Sequence, residues 1–225
     1  PKEDSIQILH CPFQELEQVA GIEPESVQLV CTDIPYGNEF VDQVEELAEF
    51  ANRVLVEGGT FVAYLGQHRL NEKLAMLDKH LTYCWMGTTS WEGKGSPNWP
   101  LNMIAKSIPW VVYSKGQFQE SAKWMDTFVN SPRQKDWHPW QRPLNEVEEL
   151  VRYFSDKNDV VVDPCGGSFT TAIACLNKGR RFIGCDDDKV AVVKGQERLA
   201  KELKEDATLP TGLIPLGTHQ VALAG

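Results

Sequence analysis

Short runs of β-branched and apolar residues alternate with amphipathic stretches along most of this chain of 225 residues. Such alternation is typical of βαβ units, in which helices cover the faces of a parallel sheet. Uninterrupted apolar runs such as Val160–Val162 indicate strands that are buried on both faces. The pattern therefore predicts an α/β fold with a doubly wound, mostly parallel sheet.

The alternation predicts seven strands and six helices. The predicted strands are Ser5–Cys11, Val27–Asp33, Thr60–Leu65, Leu81–Trp91, Pro109–Ser114, Asp159–Asp163 and Arg181–Asp186. The predicted helices are Pro12–Ala20, Val41–Val54, Arg69–Lys79, Leu144–Phe154, Phe169–Lys178 and Lys189–Leu203. We expect a single domain over residues 1–206, with residues 87–137 as an inserted region, followed by a loose tail over residues 207–225.

A Gly-rich turn follows the predicted strand at Val160–Asp163 and opens a helix. Glycine lets a ligand approach the backbone closely, and a helix N-terminus presents free N–H groups. Ser168, Thr170 and Thr171 can cap that helix or bind a ligand. Asp186 ends the next strand, where nucleoside-binding α/β folds hold ribose hydroxyls. The segment favours a nucleoside cofactor, although an ordinary turn with Asp186 as a helix cap has the same pattern.

A second polar segment, Thr32–Gly37, stands at the end of another predicted strand. Pro35 holds Ile34 in an extended conformation, so the Ile34 carbonyl and the Asp33 carboxylate can point the same way. Two acceptors beside the aromatic Tyr36 fit a planar group that carries an NH₂. The alternative is a plain turn in which Asp33 is a cap.

Taken together, these segments resemble the motifs of DNA amino-methyltransferases. Asp33–Tyr36 closely resembles the Asp-Pro-Pro-Tyr signature of that family, and Asp163–Thr171 resembles its Asp-Pro-Phe-x-Gly-Ser-Gly-Thr-Thr cofactor loop. Arg53–Val62, His138–Leu150 and Arg181–Asp186 resemble three further family segments, the second of them the His-Pro-x-Gln-Lys-Pro stretch. The catalytic motif precedes the cofactor motif, as in the circularly permuted beta group.

The resemblance implies a Rossmann-like, S-adenosylmethionine-dependent fold that methylates the exocyclic amino group of a DNA base. Adenine N6 is preferred over cytosine N4, because cytosine enzymes usually carry Ser in place of the first Asp. The implied catalytic residues are Asp33, Ile34, Pro35 and Tyr36. The implied cofactor-binding residues are Asp163, Pro164, Cys165, Gly167, Ser168, Thr170, Asp186, His138, Gln141 and Arg142.

Three residues depart from the family pattern. Ile34 replaces the first Pro of the catalytic motif, Cys165 replaces a Phe, and Phe169 replaces the last Gly of the cofactor loop. Because the family uses the backbone carbonyl of the first position, Ile34 is expected to serve there. Phe169 and the overall negative charge leave a second class open, a non-catalytic DNA-binding partner of an active subunit, and a methyltransferase acting on RNA or a small molecule is a third.

The net charge of −10 argues against general attraction to nucleic acid. Residues 92–143, however, hold seven Lys/Arg and four acids, 7 − 4 = +3. We expect DNA to be read within Met86–Trp137, where lysines alternate with aromatic residues that suit stacking and phosphate contact. Its members include Lys94, Lys106, Lys135, Trp91, Trp99, Trp110, Trp124 and Trp137, of which Trp110 is expected in the core. A region this short suggests help from a homodimer or a second subunit.

The six cysteines form no Cys-x-x-Cys pair, so the sequence predicts no zinc or other metal site. They fit reduced core residues of an intracellular protein, located in the cytoplasm, nucleoid or nucleus. Cys31 is expected to be a core residue rather than the nucleophile of a cytosine-C5 enzyme. No apolar run is long enough to cross a membrane, and we expect no membrane partner.

Overall fold

The computed structural model describes residues 5–35, 37–119, 122–129, 137 and 141–207. Within these ranges there are ten strands. They are β1 (Ile6–His10), β2 (Val27–Asp33), β3 (Leu55–Tyr64), β4 (Thr82–Ser90), β5 (Ser96–Asn98), β6 (Met103–Ala105), β7 (Ser107–Ser114), β8 (Thr127–Val129), β9 (Val160–Asp163) and β10 (Arg181–Asp186). All seven predicted strands are among them.

Seven α-helices lie in the described ranges. They are α1 (Phe13–Ala20), α2 (Asn38–Val41), α3 (Val44–Val54), α4 (Leu70–Leu77), α5 (Leu144–Phe154), α6 (Thr170–Lys178) and α7 (Lys189–Ala207). The predicted bounds of α5 are confirmed at both ends. None of the described helices is long and apolar enough to cross a membrane.

The sheet has the strand order β1-β10-β9-β2-β3-β7-β4-β8. The strands from β1 to β3 in this order are parallel, and β7 runs antiparallel to both β3 and β4. The last two strands of the sequence, β9 and β10, therefore insert between the first two, as the permuted motif order predicts. The expectation of a mostly parallel, doubly wound sheet is confirmed.

The sheet contains one strand more than the seven predicted. The additional strand, β8, pairs with only the last residues of β4 and is three residues long, too short to give a periodic signal. A small antiparallel hairpin, β5–β6, lies between β4 and β7, where the sequence predicted no strand. β3 begins at Leu55 rather than at the predicted Thr60, because α3 ends at Val54 and the strand follows at once.

Side chains alternate between the two faces of the sheet and pack against different helices. On one face, Val30 and Phe61 join Leu16, Leu47 and Leu77 from α1, α3 and α4. On the other, strand residues pack against residues of α5, α6 and α7, including Leu29, Cys31, Val62, Trp110, Leu150, Ala172 and Val192. Sequential strand residues thus serve opposite cores, which makes the buried strands apolar throughout.

Four of the six cysteines and the predicted core tryptophan are buried as expected, whereas Cys84 and Cys165 are half-buried. All six cysteines are free thiols. Cys31 is buried, and this burial raises the pKa of its thiol, which disfavours the thiolate that a nucleophile requires. Trp110 is fully buried on the same face of the sheet. Both residues are therefore part of the core.

Gly87 of β4 gives Trp110 the space that its indole occupies. These two residues are paired across β4 and β7, and a Cβ at position 87 would lie 2.1 Å from Cζ2 of the indole. The ring is fully buried in the core, so it cannot swing into solvent. The small residue is therefore required by packing.

We predict that Gly87→Ala destabilises the fold, although Ala normally favours a strand relative to Gly. The added methyl overpacks a rigid ring, at a cost of about 1–3 kcal/mol in the free energy of unfolding. Urea denaturation measures this cost in the parent background and again in a Trp110→Leu background, where the clash is relieved. An equal cost in both backgrounds would contradict the packing explanation.

Candidate active site

Three acidic segments meet at one edge of the sheet because their strands are parallel and adjacent. β2 ends at Asp33, β9 ends at Asp163 before the Gly-rich loop, and β10 ends at Asp186. β9 lies between the other two strands. The two polar segments that the sequence singled out are therefore neighbours in space, at the edge where α/β folds bind ligands.

Asp33 is held by an arginine that lies 109 residues further along the chain. Arg142 donates from Nε to Asp33 Oδ2 at 2.7 Å and from Nη2 to Asp33 Oδ1 at 3.1 Å. The guanidinium also lies over the ring of Tyr64, 4.1 Å from its centroid. Arg142, which the resemblance implies as a cofactor-binding residue, binds the Asp33 carboxylate through two parallel hydrogen bonds, and its contact with the cofactor stays a prediction.

The buried carboxylate of Glu146 holds the Tyr64 ring on which Arg142 stacks. The Tyr64 hydroxyl donates to Glu146 Oε2 at 3.2 Å, and the Thr89 hydroxyl donates to the same oxygen at 3.1 Å. Burial and the nearby Glu146 charge raise the pKa of Tyr64 well above its ordinary value, so the phenol stays a donor. Sequence reasoning missed Glu146, and the available signal was an acid on the buried face of α5, four residues after Arg142.

The remaining residues of the catalytic motif are only partly described. The Ile34 side chain is buried in the core, and its backbone N–H donates to the Tyr64 carbonyl at 3.3 Å. Pro35 is exposed at the surface. Tyr36 lies outside the described residues. The side chain that replaces the family's Pro therefore packs inward, consistent with a role for the backbone at this position.

Besides Arg142, two more of the expected cofactor residues, His138 and Gln141, directly precede α5 in the sequence. Gln141 is buried, and its Oε1 accepts a hydrogen bond from the Trp137 backbone N–H at 3.1 Å. His138 lies outside the described residues. Gln141 is thus engaged in fixing the local backbone.

Asp163 organises the Gly-rich loop from inside the protein. Its Oδ1 accepts from the Cys165 N–H at 3.2 Å, and its Oδ2 accepts from the Thr171 hydroxyl at 2.7 Å. Burial raises the pKa of Asp163 to about 6, although these hydrogen bonds oppose the shift. The Pro164 carbonyl accepts a weak hydrogen bond from the Cys185 thiol. This carboxylate therefore holds both ends of the loop.

Asp186 faces the same loop from β10. Its Oδ2 accepts from the Gly167 N–H at 2.8 Å, and its Oδ1 accepts from the Asp188 N–H at 2.9 Å. Burial raises the pKa of Asp186, partly offset by these two bonds. Gly167 has a φ of +51°, and a Cβ there would meet no atom within 4 Å. A carboxylate beside an open, glycine-lined backbone fits the ribose of a nucleoside cofactor.

Ser168 and Thr170 do not cap α6, contrary to one of the two roles expected from the sequence. Phe169 is the N-cap residue, and no side chain caps this helix. The two hydroxyls lie 3.0 Å from each other, and Arg198 of α7 donates to Thr170 Oγ1 at 2.9 Å and to the Ser168 carbonyl at 3.0 Å. Arg198, which the sequence did not single out, is a buried support of the loop.

A model of the DNA methylase family, the N6/N4 amino-methyltransferases, matches residues 27–197. This match spans both motifs and most of the chain. The chain belongs to the DNA methylase family. It is therefore an S-adenosylmethionine-dependent DNA methyltransferase, and the resemblance inferred from its motifs is confirmed.

Individual relatives agree with the family assignment. The methylase is 23% identical to the Type II methyltransferase M.HpaI of Haemophilus parainfluenzae over 227 residues, covering 83% of this chain and 72% of that protein. Other relatives align at higher identity over short segments. The putative methylase YubD of Escherichia coli is 38% identical over 63 residues, which are 28% of this chain and 28% of that protein.

Solved structures share the fold at low sequence identity. The M1.HpyAVI–SAM complex superposes with a TM-score of 0.72 at 20% identity, covering 86% of the methylase and 99% of that chain. The cytosine-N4-specific PvuII DNA methyltransferase gives a TM-score of 0.73 at 18% identity, covering 87% and 88%. The Rossmann-like methyltransferase fold expected from the motifs is thereby confirmed.

The methylase accommodates Phe169 without filling the open side of the loop. Phe169 keeps the left-handed backbone that suits a glycine, with φ of +52°, while its ring is fully buried. A Cβ at Gly166 would lie 2.3 Å from that ring, and one at Gly195 of α7 would lie 2.2 Å from it. The ring thus occupies space left by two glycines, on the core side of the loop.

The region expected to read DNA, Met86–Trp137, includes both strands of the central sheet and exposed residues outside it. Met86–Ser90 and Ser107–Ser114 belong to the sheet as parts of β4 and β7. The ring of Trp124 packs against the core Trp110, with ring centroids 6.0 Å apart, whereas Trp99 is 81% exposed. Lys135 lies outside the described residues. The inserted character of residues 87–137 stays a prediction, and what projects from the sheet before β7 is the β5–β6 hairpin.

We predict that Asp163→Asn flattens the pH dependence of stability. The folded pKa, about 6, exceeds the unfolded value of about 3.9, so ionising Asp163 costs folding free energy as pH rises through this window. Relative to the parent, the variant should gain about 1 kcal/mol in unfolding free energy between pH 5 and pH 7. Urea denaturation at both pH values measures this, and a stability difference independent of pH would contradict it.

Proposed function

We propose that this methylase transfers a methyl group to adenine N6 at a specific DNA sequence, with Asp33 as the acceptor that binds the amino group. The observation that carries the proposal is the placement of Asp33 one strand from the Gly-rich loop, with its carboxylate oriented by Arg142. An acidic first residue in the catalytic motif favours adenine over cytosine within the family resemblance.

Residues on β9, β10 and the intervening loop would hold S-adenosylmethionine. Asp186 offers a carboxylate for the ribose hydroxyls, and the open backbone at Gly167 admits the cofactor next to it. When bound, the sulfonium supplies an electrophilic methyl group. Asp163 and Arg198 keep the loop in shape from the protein interior, so their contribution is to position the loop rather than to contact the cofactor.

The chain's own task is to activate a poor nucleophile. The lone pair of an exocyclic amino nitrogen is delocalised into the base, which therefore has to leave the stack and be held at the site. Hydrogen bonds from the NH₂ to Asp33 and to the Ile34 carbonyl favour a pyramidal nitrogen with a localised lone pair. Because that geometry belongs to the transition state, these acceptors lower the barrier instead of merely binding the substrate.

Arg142 fixes the direction of these acceptors. Its two hydrogen bonds restrain the Asp33 carboxylate, and its stacking on Tyr64 ties it to the strand next to β2. A carboxylate has lone pairs on both oxygens beyond those that a guanidinium occupies, so Asp33 can still accept a bond from a base. The proton lost from the nitrogen passes to Asp33 or to water.

Cytosine N4 is the alternative target, since the chemistry is the same and the PvuII enzyme shares the fold. The non-catalytic-partner interpretation is less well supported, because the Asp33–Arg142 pair is assembled and Phe169 is directed into the core. Nucleoside mass spectrometry of DNA incubated with the methylase and isotope-labelled S-adenosylmethionine distinguishes the outcomes. Labelled N6-methyladenine supports the proposal, N4-methylcytosine supports the alternative, and no label on any duplex contradicts both.

A homodimer or a second subunit also stays a prediction, as does a location in the cytoplasm, nucleoid or nucleus. Analytical ultracentrifugation with and without DNA addresses the assembly state.

Substitutions of Asp33 and Asp186 should have different effects, one on the rate of methyl transfer and the other on cofactor affinity. We predict that Asp33→Ala lowers kcat by about 100- to 1000-fold, the effect of losing a transition-state hydrogen-bonding group, with little change in cofactor affinity. Asp186→Ala should instead weaken cofactor binding by about 1–3 kcal/mol. Isothermal titration calorimetry beside a methylation assay measures both. Substantial activity in Asp33→Ala would rule out the mechanism, and unchanged affinity in Asp186→Ala would make that residue a loop cap only.

Arg142 offers a test between the sequence-based role and the one the geometry suggests. If it positions Asp33, Arg142→Gln should lower kcat by about 10- to 100-fold, the value of a charged hydrogen bond, while cofactor affinity stays close to the parent's. Arg142→Lys should recover only part of the rate, because an ammonium cannot bind both oxygens in parallel. Weaker cofactor binding at unchanged kcat would favour the role in cofactor binding instead.

A further inference from the structure

The β5–β6 hairpin rises from the edge of the sheet that carries the candidate active site. β4 and β3 run in the same direction, because each is antiparallel to β7. The carboxyl end of β4, where the hairpin begins, therefore lies at the same edge as Asp33. The backbone N–H of Trp91 donates to the Lys106 carbonyl at 3.1 Å and closes the base of the hairpin.

The hairpin is connected to the strand next to Asp33. Gln67, just after β3, donates to the Ser107 carbonyl at 3.1 Å, directly below the hairpin. β7 is two strands from β2, which places the base of the hairpin about 10 Å from Asp33 at the usual spacing of strands. A large ligand bound over the strand ends that carry Asp33 would therefore also meet the tip of the hairpin.

The tip of the hairpin exposes apolar side chains. Trp99 is 81% exposed, Leu101 68% and Ile104 62%, on a turn closed by the hydrogen bond from Asn102 N–H to the Trp99 carbonyl. These fractions are far above those of the core aromatics, so the tip does not contribute to the described core. A projecting apolar tip costs solubility unless something covers it.

The surroundings of this tip match a polyanion. Residues 91–106 contain two lysines, Lys94 and Lys106, and one acid, Glu92, all exposed, so this stretch is net positive although the whole chain carries a net charge of −10. Cationic side chains beside a projecting aromatic suit a surface with phosphates outside and stacked bases within. Because DNA carries a dense row of phosphates, charge complementarity favours DNA over a second copy of this acidic chain.

We propose that the hairpin of residues 91–106 is a wedge that enters the DNA duplex at the target step, with Trp99 filling the gap left by the extruded base. The inference rests on the proposed function. Removing a base from the stack costs a few kcal/mol, and an inserted apolar side chain replaces part of the lost stacking. Lys94 and Lys106 contact the flanking phosphates.

The kinetic test compares Trp99→Ala with the matched control Trp85→Ala, an exposed tryptophan of β4 that lies outside the hairpin, five residues before the carboxyl end of the strand. The substrate carries the methylated sequence identified in DNA from an expressing host. On the paired duplex, Trp99→Ala should lower kcat/KM by about 10- to 100-fold, whereas Trp85→Ala should match the parent. On the same strand without its complement, Trp99→Ala should also match the parent, because no duplex has to be opened.

A binding test works without turnover and so separates this inference from the proposed function. The parent should bind a labelled duplex that lacks one base more tightly than the intact duplex, because Trp99 enters the gap. Trp99→Ala should lose that preference, and Trp85→Ala should keep it. Circular dichroism melting checks that the variants fold.

Three results would overturn the wedge. They are an equal loss on paired and single-stranded substrate, unchanged behaviour of Trp99→Ala in both tests, and a loss confined to self-association in sedimentation. The last would assign the tip to a contact between copies. Absence of methyl transfer by the parent on any DNA would count against the proposed function, while the binding test would still decide on the wedge.

Discussion

The parallel pairing of β2 with β9 is the contact on which the site depends. It joins Leu29 to Val161 and Val30 to Val162, four side chains that are fully buried. Because β9 also pairs with β10, the ends of three consecutive strands bring Asp33, the Gly-rich loop and Asp186 side by side, as the proposed roles of these residues require. The catalytic and cofactor segments lie 130 residues apart in sequence at Asp33 and Asp163, and this apolar contact is what brings them together.

The elements that could be predicted from the sequence are those with a periodic or continuous pattern of apolar residues. All seven predicted strands are present, and the most reliable signal came from strands such as β2 and β9, which are covered on both faces and show continuous apolar runs. The bounds of α5 could be predicted because its apolar face recurs with the helical period. β8 and the β5–β6 hairpin could not, because strands of three residues have no period and their pairing depends on neighbours already in place.

The polar contacts of the site were harder to foresee than its location. Strand ends place Asp33 and Asp186 through topology alone, but the partner of Arg142 is set by how α5 packs on the sheet. Glu146, Tyr64 and Thr89 come from three separate elements, and only their packing makes them one network. Such networks are cooperative, and their members act on Asp33 through each other rather than singly.

The contact between Phe169 and Gly195 has a consequence for how this branch of the family can change. The ring occupies the space next to α7 that a larger residue at position 195 would need. Restoring glycine at position 169 would empty that space, and enlarging position 195 first would produce a clash, so each single step passes through a less stable protein. The two positions are therefore locked to each other. Substitutions at positions 169 and 195 are therefore expected to be non-additive, and a tolerated change at one is expected to require a matching change at the other.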